Sequence, residues 1–341
     1  MTILLLGGNG LLGHNVLRQL LQQGHKVHAL VRNPLSLHID DFPDYKTLLT
    51  VFKGSLLNDS DLDKAAEGCD AVVNCAGVTD MSLLRYEDYL PVNRDLGIRL
   101  LQLMNRTGIS RLVHTSTANT IGYGTPDACA DEQAPMQPPF SRSYYALSKR
   151  AGEEPLLQAA SQHPDWHIVI VNPGFMVGAY DTKPSSGKLL LSGYRKAVMP
   201  VPKGGKSFIH VADAAVAIVN ALTRGTSGRR YLLTGQNLSL KQFYCVQART
   251  CNYRQCLLLL PDWLLAAAGR CGDFLRLCGL RTQLSTRNVR QLMVCEYYDN
   301  SRAVADLAMP QTDIAQAVKD FYSWYLPCKK QYYSSQGNNS S

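Results

Sequence analysis

Residues 4–13, "LLLGGNGLLG", join an apolar run to three glycines at intervals of three: Gly7, Gly10 and Gly13. The run reads as a buried strand, and residues 11–23 read as an amphipathic helix. At such a junction each glycine has a physical task. Gly7 permits a tight turn, Gly10 lets a pyrophosphate reach the backbone, and Gly13 lets helix and strand pack closely. The helix N-terminus offers free N–H groups and the positive end of its dipole to that phosphate. A lone glycine triplet is a weak signal; its place after the first strand of a βαβ series gives it meaning.

That series continues outward. "KVHALV" (26–31), "LLTVFK" (48–53), "AVVNCA" (71–76), "RLVHTS" (111–116) and "HIVIVN" (167–172) are short apolar runs separated by helical patterns. Continuous rather than alternating apolar strands belong to a parallel sheet covered on both faces. The expected fold is therefore α/β: a Rossmann-like doubly wound parallel sheet with a smaller, mostly helical C-terminal substrate region. Residues 1–172 form the dinucleotide-binding domain, to which 207–235 return through "SFIHV" and "RRYLLTG". Residues 173–206 and 236–325 form the substrate region, and the polar tail 326–341 is expected to be disordered.

The 341 residues carry a net charge of +8, with 45% hydrophobic and 18% charged residues, as in an ordinary globular protein. The basic residues are scattered, so a small anionic ligand fits better than a nucleic acid. Ten cysteines form no C-x-x-C pair and no zinc spacing, so reduced thiols, several of them buried, in a cytoplasmic protein are expected. The N-terminal apolar run ends in glycines after five residues and reads as a strand, not a signal peptide. "CLLLLPDWLLAAAG" (256–269) is too short to span a bilayer and reads as core or pocket-lining helix, with contact at a membrane surface as the lesser alternative. No stable membrane insertion is expected.

Two further positions carry chemistry. At the end of the second strand, where an acid would bind the ribose hydroxyl of NAD, stands Arg32. An arginine holds the 2′-phosphate of NADP instead, so NADP(H) is preferred over NAD(H). In "SRSYYALSKR" (141–150), Tyr145 and Lys149 lie at i and i+4 and share one face of a helix expected over 143–160. A phenol titrates near about 10, and a neighbouring ammonium lowers that value. Such a tyrosine can exchange a proton with a carbonyl or alcohol. A second hydroxyl, from Thr115, Ser116 or Thr117, stands at the C-terminal end of the fifth strand, where open α/β sheets bind ligands.

Together with "VNRDLGIRLL", "YALSK", "NPGFMVGAYDTKPSSGKLL" and "SFIHVADAAVAIVNAL", these stretches resemble the extended short-chain dehydrogenase/reductases, also called the NAD-dependent epimerase/dehydratase family. The resemblance covers residues 2–325 and is nearest the dihydroflavonol-reductase-like and hydroxysteroid-dehydrogenase-like branch. It implies a catalytic triad of Thr117, Tyr145 and Lys149, with the lysine also on the nicotinamide ribose. It implies cofactor contacts from Gly7, Asn9, Gly10, Leu11, Leu12, Gly13, Arg32 and Leu56. Cys75, Ala76 and Gly77 would pass under the cofactor, Pro173, Gly174, Phe175 and Met176 would lie beside the nicotinamide, and Ser185 would make a later contact. Two departures stand out: Ser55 replaces an Asp before Leu56, and Thr117 replaces the commoner Ser. Asn93 matches a family asparagine that reads equally as a helix-surface residue or a support for the site. The family often pairs through the helices flanking its active site, which allows a homodimer.

The implied function is NADP(H)-dependent hydride transfer between nicotinamide and a carbonyl or secondary alcohol of a small molecule. The alternative is a nucleotide-sugar epimerase or dehydratase with tightly bound NAD(P). A non-enzymatic, redox-dependent binding protein is the third reading, though such proteins usually lose the tyrosine or the lysine. Lys183, Lys188, Arg195, Lys196, Lys203 and Lys206, against Asp181 alone, make 181–207 a basic loop that is either a phosphate holder or a solvated surface. Trp263, Phe274 and the leucines of 256–280 suit a flat hydrophobic substrate or, as the safer reading, domain core.

Overall fold

The computed structural model describes the chain apart from residues 39–41, 183–184, 281, 283 and 338–341. In chain order its elements begin β1 (Thr2–Leu6), α1 (Leu11–Gln22), β2 (Lys26–Val31), β3 (Leu49–Lys53), α2 (Asp59–Ala66), β4 (Ala71–Asn74) and α3 (Leu96–Thr107). There follow β5 (Arg111–Thr115), α4 (Tyr144–Gln162), β6 (His167–Pro173), β7 (Phe175–Val177), α5 (Gly187–Gly193), β8 (Val198–Val201), β9 (Gly205–His210) and α6 (Val211–Ala221). The last are β10 (Arg230–Leu233), β11 (Gln236–Ser239), α7 (Leu240–Thr250), β12 (Cys256–Leu259), α8 (Asp262–Leu277), α9 (Thr286–Arg290), β13 (Cys295–Glu296), α10 (Ser301–Leu307) and α11 (Ile314–Gly337).

Seven strands form the main sheet in the order β10-β6-β5-β4-β1-β2-β3, every pair parallel. Strand side chains alternate between faces, and here both faces are apolar. Ile3, Leu5, Val73, Val113 and Val169 enter one core layer with α1 and α6. Leu4, Leu6, Val72, Leu112 and Ile170 enter the other with α2, α3 and α4. Burying one such side chain stabilises the fold by roughly 1.5–3 kcal/mol. The chain order reverses between β1 and β4, so the crevice outside their C-terminal ends is the ligand position of a doubly wound sheet.

The return of 207–235 to this sheet is only partial. α6 packs on α1 and β10 pairs with β6, but β9 lies between β11 and β13 in a second sheet and also pairs with β7. A short apolar strand carries no local mark of which sheet it joins; its partner is decided by long-range packing. The C-terminal region also holds more strand than its pattern suggests. Residues 256–259 pair in parallel with β8 rather than forming helix. Pro261 disfavours the helical region for the residue before it, so α8 starts only at Asp262. The tail expected to be disordered from 326 continues α11 through Gly337. Ile314, Ala317, Val318, Phe321 and Tyr322 bury one face of that helix. Once nucleated, a helix propagates at little further cost.

Candidate active site

β1 delivers the chain to the glycine turn at the reversal of strand order. Gly7 has φ +79, and a Cβ there would stand 2.6 Å from the Ala76 nitrogen. A Cβ on Gly13 would lie 2.0 Å from the Gly7 carbonyl oxygen. Only glycine serves at either place. Gly10 is the N-cap of α1, whose first turn has no side-chain cap and no acid. A Cβ on Gly10 would meet only the Gly7 oxygen, at 3.6 Å, so this flank of the turn is open. With Leu11 and Leu12 in the first turn, backbone N–H groups point to where a pyrophosphate would lie.

The Asn9 amide donates to Ser36 Oγ at 3.1 Å, and Ser36 Oγ donates to the Asn33 carbonyl at 2.6 Å. These bonds tie the loop after β2, with its exposed Arg32, to the glycine turn. Ser36 was not among the residues singled out from the sequence. Leu56 is half-buried against the α2–α3 layer. Beside it, the Ser55 backbone N–H donates to Asp61 at 2.8 Å, so a carboxylate stands near the position where the family's Asp is missing.

At the other end of the crevice, α4 brings Tyr145 and Lys149 beneath β5. Lys149 is 3% exposed, and its ammonium donates to the Thr115 carbonyl at 2.6 Å. A Cβ on Gly77 would lie 3.5 Å from Lys149 Nζ, so the Cys75–Ala76–Gly77 segment runs beside the lysine. Burial pulls the Lys149 pKa from 10.5 down to about 8, against the opposing pull of Glu153 and Cys75. The three candidate hydroxyls separate. Thr115 Oγ1 points to Cys75 Sγ at 3.7 Å and Ser116 Oγ donates to Glu153, whereas Thr117 hydrogen-bonds Tyr145. Burial raises the Tyr145 phenol, and the Thr117 bond pulls it back. Burial thus outweighs the expected lowering of the phenol pKa by the ammonium, which donates to the Thr115 carbonyl.

A buried polar network, invisible in the local sequence, supports this corner. Glu153 is fully buried; it pairs with Arg230 Nε at 2.7 Å and accepts from Thr120 Oγ1 at 2.6 Å and Asn172 Nδ2 at 2.9 Å. Asn172 Nδ2 also donates to the Thr117 carbonyl at 3.1 Å. Asn93, which begins no ordinary helix but sits in a π-helical turn, is fully buried. Its side chain exchanges bonds of 2.8 and 3.0 Å with the backbone of Val78 and donates to Ser148 Oγ at 3.0 Å. Asn93 is thus not a helix-surface residue.

Beyond β6, the Gly174 N–H donates to the Leu233 carbonyl at 2.9 Å. This holds Pro173, Gly174, Phe175 and Met176 at the sheet's C-terminal edge. The Ser185 N–H and Oγ donate to Asp181, which also accepts from Gly187 at 2.8 Å. Asp181 thereby secures the start of α5. Of the basic loop, Lys206 pairs with Glu296, and Lys183 lies outside the described residues. Beside α4 opens a cavity of about 800 Å³, walled by Tyr144, Pro139, Leu277 and Met293. Arg142, Arg287 and Arg290 border it, and the Arg287 guanidinium lies 3.8 Å from the centre of the Tyr144 ring. Among the described residues no cluster of His, Cys, Asp and Glu could hold a metal.

The open flank at Gly10 and the uncapped start of α1 leave room and free N–H groups for a phosphate. The comparisons agree. The family model described as "NAD dependent epimerase/dehydratase family" matches residues 3–233. A putative dihydroflavonol 4-reductase from Synechocystis sp. is 32% identical over 94% of this chain and 93% of its own. A decarboxylating sterol-4-alpha-carboxylate 3-dehydrogenase from Dictyostelium discoideum is 24% identical over 71% of this chain and 74% of its own. Among solved structures, a dTDP-glucose 4,6-dehydratase from Streptomyces venezuelae with NAD bound superposes with a TM-score of 0.75 at 19% identity, over 96% of this chain and 97% of that one.

Proposed function

The chain belongs to the NAD dependent epimerase/dehydratase family, and on that premise we propose that it is an NADP(H)-dependent reductase of a carbonyl on a mostly apolar small molecule. The convergence of Tyr145, Thr117 and Lys149 beside Gly77 carries this reading. The glycine turn and the N-terminus of α1 hold the pyrophosphate. Arg32 holds the 2′-phosphate, and Lys149 holds the ribose. When bound, the nicotinamide supplies the hydride.

Tyr145 then acts as general acid, passing its phenol proton to the substrate oxygen, and takes it back in the oxidative direction. Thr117 donates to the same oxygen and limits the orientations the phenol can adopt. Assistance of this kind contributes roughly 10²–10⁴-fold in rate. The phenol is only partly buried and so stays open to the crevice, while Pro173 to Met176 close the far side. The cavity beside Tyr144 receives the body of the substrate; its apolar wall favours a flat or elongated carbon skeleton.

The deciding experiment presents purified protein with NADPH and a panel of aromatic, alicyclic and sterol-like ketones and follows consumption of the cofactor. Turnover with at least one ketone, at a rate higher with NADPH than with NADH, is expected. Protein that purifies with stoichiometric dinucleotide and converts a nucleotide sugar without net NADPH consumption overturns the reductase in favour of an epimerase or dehydratase.

A further inference from the structure

Helix α8 presents its apolar side to solvent. Its inward face is Leu265, Gly269 and Gly272, and a Cβ on either glycine would strike the backbone of Thr286 or Leu284. Its outward side carries Trp263 at 71%, Phe274 at 66% and Leu277 at 86% exposure. Leu258 and Leu259 of the preceding strand are about half exposed, as is Val198, which pairs opposite Cys256 on β8. Monomeric proteins rarely leave large apolar side chains together in water without a use for them.

Exposed cations frame this face. Arg195 and Lys196 precede β8, Arg254 precedes β12, and Arg270 lies on the outward side of α8. Across residues 195–201 and 254–280 the acids are Asp262 and Asp273. Asp273 is half-buried and accepts from the Thr286 N–H at 3.1 Å, so Asp262 is the one carboxylate facing outward. A second copy of the same face would meet like charge, which opposes self-association. Trp, Phe and Leu ringed by Arg and Lys suit a helix lying in the plane of an anionic bilayer: the rings enter the headgroup boundary and the cations meet phosphate. No described helix is long and apolar enough to cross a membrane, so the contact lies along the surface. We propose that α8 and β12 dock this protein on anionic lipid. The same helix contributes Asp273, Arg276 and Leu277 to the wall of the 800 Å³ cavity. Docking therefore brings this wall of the cavity close to lipid.

The test is flotation of the full chain with vesicles of phosphatidylcholine alone and of phosphatidylcholine with phosphatidylglycerol. Binding to the anionic vesicles is expected, weakening as salt rises. Trp263→Ser with Phe274→Ser should reduce vesicle affinity by on the order of 100-fold, with an unchanged melting temperature because both side chains are exposed. Arg270→Glu, which removes no apolar surface, should weaken binding to anionic vesicles alone. Absence of flotation with either vesicle overturns the proposal, and so does flotation that the double variant retains. Sedimentation velocity covers the competing occupant: concentration-dependent dimers that the double variant abolishes, without vesicle binding, assign the face to a second copy. None of these readouts requires a substrate, so failure of the reductase assignment and failure of lipid docking are separable.

Discussion

Replacing Lys149 by Met removes a buried amine whose pKa lies at about 8 in the folded chain against 10.5 ordinarily. Because the folded value is depressed, the unfolded chain binds this proton first as the pH falls from 10.5. The penalty for burying the ammonium therefore grows between pH 10.5 and 8 and is complete below that, at about 3 kcal/mol. Between pH 7 and pH 9.5 the wild-type protein should gain about 2 kcal/mol of stability that Lys149→Met does not gain. The absolute stability of the variant at pH 7 should change little. Release of the penalty is offset by loss of the charge-assisted bond to the Thr115 carbonyl, worth about 1.5–3 kcal/mol. Urea unfolding of both proteins at the two pH values, followed by circular dichroism, measures the difference directly. Parallel pH dependences would refute the depressed lysine and, with it, the claim that Lys149 is held dry under the crevice.

Arg32→Gln should weaken NADPH binding about tenfold and leave NADH binding unchanged, by loss of an exposed charge-assisted contact to the 2′-phosphate; fluorescence titration with both cofactors checks it. Gly13→Val should abolish dinucleotide binding and lower the melting temperature, since even a Cβ would sit 2.0 Å from the Gly7 oxygen. Glu153→Ala should destabilise the chain by about 3–5 kcal/mol in urea unfolding, because it leaves Arg230 as an unpaired, largely buried charge and takes one acceptor from each of Asn172 and Thr120.

What could be read from the sequence was local. The glycine turn, the six strands flanking it and the i, i+4 placement of Tyr145 and Lys149 depend on residues within one strand–turn–helix unit, where apolar run, helix period and glycine spacing agree. Thr117 emerged from three adjacent hydroxyls only by resemblance; the structure separates them because Thr115 and Ser116 are occupied by Cys75 and Glu153. The Glu153–Arg230 pair joins residues on α4 and the sheet edge that no spacing rule connects. Strand β9 reads like any strand of the main sheet, and only packing sends it to the second sheet. Trp263 and Phe274 look like core because they are apolar. The two glycines on the opposite side of α8 give that helix its close approach to α9 and its flank, and turn the rings outward. The cysteines likewise lie half-buried or exposed rather than in the core.

Tyr145→Phe removes one oxygen from the crevice and leaves the glycine turn, Arg32 and Lys149 in place. Stopped-flow measurement of NADPH oxidation, with a ketone that the wild-type protein reduces, should show cofactor binding within about twofold of wild type and a hydride-transfer rate lower by roughly 10²–10⁴-fold. A rate close to wild type, with cofactor binding intact, would mean that the phenol of Tyr145 is not the proton donor.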